Sequence, residues 1–297
     1  MPSPKKASPI PRMNAIASIR SKYKDAAFLI GNGPNLRSGI MPSWKDLLKA
    51  ASPKPIPFDL TGLTNTEAYD LIEIYANDAV KVKNRVKAEL QLTNSDDLSV
   101  HRKIMEFARS TNTPVLTTNF DTAFEKSVGA RPFHTDSDGF TRFYPWKTYY
   151  GFEKLKNPAQ GFGIWKIHGD VNYRDSIRLG LGDYMGSVQR ARSLITKGRR
   201  RLYKETLLSK SWQGEQTWLH IWFHSPLIIF GFGYEPDEVF LRWLLIERKR
   251  YSIKLKYAMD VWYVTKGSPS PSVKNLMENL DVTIHLVEDY SDIYDGL

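Results

Sequence analysis

The chain has 297 residues, 41% hydrophobic and 25% charged, with a formal net charge of +10 and no cysteine. This is the balance of a globular protein with room for a sizeable core, and it excludes disulfides and any zinc site built on thiolates. No run approaches the roughly 18 apolar residues of a membrane-spanning helix, so a cytoplasmic protein without membrane contact is expected. The excess of positive charge favours anionic partners such as nucleic acid, anionic ligands or an acidic protein surface.

The first residues, MPSPKKASPIPRM, are basic, proline-rich and without the apolar middle of a secretory signal. Residues 1–20 are therefore expected to form a flexible arm, with a single α/β domain over 21–297. Residues 26–30 are a continuous apolar run, suited to a strand buried on both faces. They lead into the glycine-rich turn GNGPN, residues 31–35. Ser43 stands where it caps a helix carrying Trp44, Leu47 and Leu48. Residues 52–62 read as a proline-rich loop. Leu71, Ile72, Tyr75, Ala79, Val82, Val86 and Leu90 keep helical spacing, in one piece or two, and residues 98–108 repeat the pattern. Lying between the first and second strands, these segments form a helical insertion at about 60–110.

The second strand, TPVL, ends in TTNFD and a helix through Phe124 and Val128. RPFH reads as a short strand. The aromatic segment GFTRFYPWKTYYGF is suited to burial under a loop, the alternative being stacking on a nucleic-acid base. GFGIWKIHGD is a strand with a glycine turn. The segment DYMGSVQRARSLI and the basic run KGRRRLYK, residues 197–204, read as helical; the run is either a solvated face or a contact for nucleic acid or a partner protein. EQTWLHIWF is a helix on which His220 and His224 share a face, and two such histidines alone read as partly buried helix residues rather than metal ligands. SPLIIFGFGYEPDE is a strand with a glycine-rich exit into a helix whose first turn carries proline and acids. DVWYVT and VTIHLV are late strands around a helix at 273–280. Strands alternating with helices predict a doubly wound, mostly parallel Rossmann-like sheet.

In such a sheet the strand exits meet at one edge, where ligands bind. Gly31 and Gly33 permit a tight turn or a close approach to phosphate, although a dinucleotide fingerprint has a third glycine where Leu36 stands. Asn119 offers donor and acceptor, and Asp121 acceptors only; either residue also suits a helix cap. The His168 imidazole can accept a proton from a ribose hydroxyl or a water and so suits a base, although a lone histidine there is more often structural. Gly231 and Gly233 permit another close approach, or merely a turn.

The order of these loops resembles the sirtuin-like, NAD-consuming proteins, and among them the bacterial branch of anti-phage defence. GNGPN with the later PSW is similar to the family's first phosphate loop, TTNFD to its threonine-x-asparagine-x-aspartate signature, and KIHGD to its catalytic histidine-glycine. GDY, residues 182–184, resembles a recurrent aspartate-tyrosine, and GFGYEPDE the late NAD loop. The resemblance implies NAD+ as substrate and no metal. It implies catalytic roles for Asn119, His168 and Asp121, and cofactor contacts from Gly31, Asn32, Gly33, Asn35, Thr118, Gly231 and Gly233. Asn35 stands where many relatives have serine. The missing four-cysteine ribbon and the insertion favour NAD+ hydrolysis over deacylation. The alternatives are a non-catalytic NAD- or ADP-ribose-binding regulatory subunit, a protein deacylase, and a nucleic-acid-binding module. A hydrolase of this kind implies restraint by a separately encoded regulatory or sensor protein, or by assembly into a homo-oligomer.

Overall fold

The computed structural model describes residues 14–135, 146–204, 207–257 and 259–297. Along them run α1 (Ala15–Lys22), β1 (Ala27–Ile30), α2 (Gly33–Ser38), α3 (Trp44–Ala51), α4 (Asn65–Ala76), α5 (Ala79–Glu89), α6 (Ser99–Ser110), β2 (Val115–Thr117), α7 (Ala123–Val128), β3 (Arg131–His134), β4 (Thr148–Gly151) and β5 (Ile164–Lys166). There follow α8 (Leu181–Thr196), β6 (Tyr203–Lys204), β7 (Leu207–Leu208), α9 (Trp218–His224), β8 (Leu227–Phe230), α10 (Val239–Leu255), β9 (Val261–Lys266), α11 (Pro271–Asn279), β10 (Thr283–Val287) and α12 (Ser291–Tyr294). Among these residues eight strands form one sheet in the order β10-β9-β8-β1-β2-β5-β4-β3. The six from β10 to β5 are parallel; β4 and β3 extend the far edge antiparallel. The fold is the expected doubly wound α/β type.

The central strands explain why the sheet is covered twice. Alternate side chains of a strand point to opposite faces. Ala27 and Leu29 of β1, with Leu227 and Ile229 of β8, pack into the core under α8 to α11. Phe28, Ile30, Ile228 and Phe230 pack into the core under α1, α6, α7 and α12. A strand buried on both faces is apolar throughout, as AFLI and LIIF are. The helical insertion expected at about 60–110 reaches back to α3; α3 to α5 share an apolar cluster of their own, into which Phe120, Ile177 and Leu179 are packed from the strand exits, while α6 packs on the sheet.

Three expectations are refined. Residues 15–20, expected within the N-terminal arm, are helical: Asn14 caps α1, and its amide donates to the carbonyls of Ile293 (3.0 Å) and Asp295 (2.8 Å), tying α1 to the C-terminal helix. Residues 1–13 lie outside the described residues. The basic run is not helical. The chain leaves α8 at Lys197, Gly198 takes φ +79°, and β6 follows. Lys197, Arg199, Arg200 and Arg201 are exposed. The described part of the aromatic segment is buried, partly in β4, and the loop after β4 covers it: Tyr149 Oη donates to Glu153 O at 3.0 Å. Tyr149 of β4 stacks on Trp165 at 4.8 Å, and Trp146 on Trp218 at 5.1 Å. Its residues 139–145 lie outside the described residues.

His220 and His224 share a face of α9, their rings stacked at 4.1 Å. Trp212 Nε1 donates to His220 Nδ1 at 3.1 Å, a bond that a proton on Nδ1 would break. Burial pushes His220 down to about 3 and lowers His224 as well. A histidine depressed in this way contributes stability that is complete above its unfolded value, about 6.5, and is lost as pH falls toward the folded value. The melting temperature followed by circular dichroism is expected to fall between about pH 6.5 and pH 4. The fall is expected to be shallower in His220→Gln, and an equal slope in the two proteins would refute this source.

Candidate functional site

The parallel core sends the exits of β1, β2, β5 and β8 to one edge, and they enclose a cavity of about 690 Å³, a volume typical of ligand sites. The chain leaves β1 toward β2 and leaves β8 toward β9, so the sheet changes direction between β1 and β8. Crevices at such switch points are the usual ligand sites of open sheets.

At the switch point two glycine loops touch. Gly33 N donates to Gly231 O at 2.8 Å, and Gly31 N to Phe230 O at 3.3 Å. A Cβ on Gly33 would lie 2.3 Å from Tyr294 Oη and 2.5 Å from Gly231 Cα. Gly231 itself holds φ +62°. These glycines are required for loop-to-loop contact, and the amides of Gly31 and Gly33 are engaged within the protein. Asn32, Gly33, Thr118, Asn119, Asp121, His168, Gly231 and Gly233 line the cavity, while Gly31 and Asn35 are buried and support the wall from behind.

Asn35 is completely buried and joins three elements. Its amide nitrogen donates to Asn32 Oδ1 and to Asp121 Oδ2, both at 2.8 Å. Its oxygen lies 2.7 Å from His101 Nε2 on α6. An amide oxygen only accepts, so His101 carries its proton on Nε2. Burial pushes His101 down to about 4 against the pull of Asp121 and Asp97, so the ring is neutral. Asp121 Oδ1 accepts from Ala123 N at 2.8 Å, which makes this carboxylate the cap of the turn into α7. With both oxygens engaged, Asp121 braces the loop.

Asn119 differs. Its backbone N–H bonds Thr117 Oγ1 at 3.1 Å, but its side-chain Nδ2, though buried in the cavity wall, has no partner within the protein. A buried amide without an acceptor is costly unless a ligand supplies one. His168, 1% exposed, lines the same cavity. Its Nε2 lies 2.9 Å from Glu238 Oε2, and the Tyr184 ring meets it edge-on at 5.3 Å. Burial, and after it the Glu238 carboxylate, raises the Tyr184 phenol well above its ordinary value. Among the described residues no group of three or more His, Cys, Asp or Glu is placed to hold a metal, and no helix is long and apolar enough to cross a membrane.

Residues 113–250 match the SIR2-like domain family. That stretch of the chain is a SIR2-like domain and supports a sirtuin-like fold family. The matched span of this SIR2-like protein includes TTNFD, KIHGD and GFGYEPDE; the β1 loop and the insertion precede it. No curated protein matches the chain. The family uses NAD, which is compatible with NAD-utilising activity here.

The structure adds residues that the sequence did not single out. Glu238 is one of three acids in the β8 exit, with Glu235 and Asp237, and spacing alone does not choose among them. Asp237 turns instead to the insertion, where its Oδ2 accepts from the Asn65 side chain at 2.6 Å. Trp44 of α3 packs edge-on against Phe120 at 5.8 Å, so the insertion roofs the crevice of the SIR2-like domain. Gly33→Ala is expected to separate the two glycine loops, costing roughly 1–3 kcal/mol as overpacking does, and to weaken NAD+ binding. Adding Tyr294→Phe is not expected to restore either, because Gly231 Cα remains 2.5 Å away. Chemical denaturation and calorimetry check both, and recovery in the double variant would show that the hydroxyl was the obstacle.

Proposed function

We propose that this sirtuin-like protein is an NAD+ glycohydrolase that cleaves the nicotinamide–ribose bond. The observation that carries the reading is the meeting, in one crevice, of the unpartnered Asn119 amide and the His168 imidazole beside two glycine loops. The bond from ribose C1′ to the pyridinium nitrogen breaks, nicotinamide leaves neutral, and water adds to C1′ and loses a proton. The transition state is oxocarbenium-like. The leaving group needs no acid, which suits a site with an amide and an imidazole rather than two carboxylic acids.

Asn119 holds the nicotinamide ribose and orders the attacking water. His168 takes the proton from that water or from a ribose hydroxyl. Glu238 orients the ring and offsets the charge it gains. Asp121, given the nicotinamide side of the crevice by family resemblance, acts there through the loop it braces. The first glycine loop, residues 31–35, faces the diphosphate and Gly231 and Gly233 the adenosine. The roof contributed by the insertion limits entry of a bulky acyl-peptide and favours water as acceptor. The defence role, restraint by a sensor protein and assembly into an oligomer rest on the resemblance, and a cytoplasmic setting on the sequence alone. The exposed run 197–201 remains the candidate contact for nucleic acid or a partner.

Nicotinamide release from NAD+ by the purified protein, together with any activator its host supplies, tests the reading. Asn119→Ala and His168→Ala are each expected to lose about 10²- to 10⁴-fold in turnover, as removal of positioned acid–base groups does. Glu238→Gln is expected to lose less and to keep ADP-ribose binding. Undiminished turnover in the first two variants would refute the roles. Calorimetric binding of ADP-ribose without release under every activating condition would favour the non-catalytic regulatory subunit, and acetylated ADP-ribose from an acetyl-lysine peptide a deacylase.

A further inference from the structure

Beneath the TTNFD loop lies a buried polar cluster that the proposed chemistry does not use. Lys166, the last residue of β5, is 3% exposed. Its ammonium donates to Phe120 O at 3.2 Å and to Asp121 O, and forms an ion pair with Glu125 Oε1 at 2.9 Å. We propose that Lys166 is a positioning residue, whose ammonium fixes the loop that presents Asn119 to the crevice. The assignment rests on the reading of Asn119 as the ligand-facing amide.

This one side chain holds the second half of the loop. Two acceptors are the carbonyls immediately after Asn119, and the third is on α7, into which the loop runs. The main chain of Lys166 reaches the other half of the site, since its carbonyl accepts from Gly169 N at 3.3 Å and closes the turn that carries His168. Burial would strip the proton from Lys166, but the carboxylates of Glu125, Asp170 and Asp121 outweigh it and raise the ammonium above its ordinary value. Burial pushes Glu125 up to about 7, and Lys166 opposes that. Asp170 is held in turn by Tyr150 Oη at 2.6 Å.

A contribution to stability alone does not account for this arrangement. Apolar residues often replace a buried ion pair without loss, whereas removing one partner leaves a stranded charge. What an apolar pair cannot reproduce is donation to two consecutive loop carbonyls. Phe120 O keeps a second donor, Val171 N at 2.8 Å; the acceptor at Asp121 depends on Lys166.

The test separates fold from position. Lys166→Met is expected to melt well below the wild type, because it strands Glu125. Lys166→Met with Glu125→Gln is expected to recover most of the melting temperature. Hydrogen exchange of the amides at 117–122 in this double variant is nevertheless expected to be at least about tenfold faster than in the wild type. Nicotinamide turnover is expected to fall about 10²-fold with KM changed little, as a misplacement near 1 Å produces. Wild-type exchange at 117–122 in the folded double variant would overturn the assignment. Should that variant not fold, Lys166→Gln, which keeps one shorter donor, poses the same question: faster loop exchange supports the assignment and unchanged exchange overturns it. Exchange decides the matter even if the wild type releases no nicotinamide, a result that would fall on the proposed hydrolase alone.

Discussion

The crevice depends on six adjacent strands running the same way. Parallel pairing from β10 to β5 brings four exits, scattered over some two hundred residues of sequence, to a single edge. It also creates a difficulty. Strands buried on both faces end inside the protein, so their exit loops carry backbone and side-chain polar groups into a region with little water, where each needs a partner. The loops around the crevice are best understood as answers to that demand.

Two answers are buried side chains that bond loops to one another. Asn35 links the β1 exit to the β2 exit and to α6. Lys166 links the end of β5 to the β2 exit and α7. One is neutral and one charged, and the surroundings follow. His101 beside Asn35 stays neutral because burial disfavours its charge. Lys166 stays charged because three carboxylates surround it. Against this network Asn119 stands out as an amide nitrogen left unsatisfied. A wall that ties down Asn35, Asp121 and Lys166 and leaves the Asn119 amide and His168 Nδ1 without protein partners is pre-organised for a ligand.

The fold was legible because its signals are local. AFLI and LIIF read as doubly buried strands, the turns punctuate them, and the helical spacing of Leu71 to Leu90 resolved into α4 and α5. The basic run misled because arginine and lysine favour helices, whereas Gly198 ends α8 there and β6 returns the chain. The eight residues from Leu116 to Ala123 showed where an unusual loop would lie. They did not show that Asp121 serves the turn while Asn119 faces the cavity, since both residue types suit either task. Glu238, His101 and Lys166 were hidden for a related reason. Each owes its meaning to a partner 66 or more residues away for the first two, Asn35 and His168, and 41 for the ion pair with Glu125, and no spacing rule relates positions joined only by sheet order.

The family match begins just before β2 and ends within α10. That span holds the amide, the imidazole and the late glycine loop, but only part of the cavity. Asn32 and Gly33, Trp44 and Leu47 from the insertion, and Tyr290 and Tyr294 from the C-terminal end complete it. The division has a physical basis. The proposed hydrolysis requires that groups acting on the reacting bond be placed to within a fraction of an ångström, a demand that a packed sheet edge suits. A roof needs only to cover and shape the opening, which an apolar cluster of short helices does with much greater freedom of sequence. The bond between Asn65 and Asp237 joins these two parts across the mouth. The loop that bonds the insertion at Asp237 carries Glu238 next to it, and Glu238 bonds His168, so one short segment serves both the roof and the imidazole.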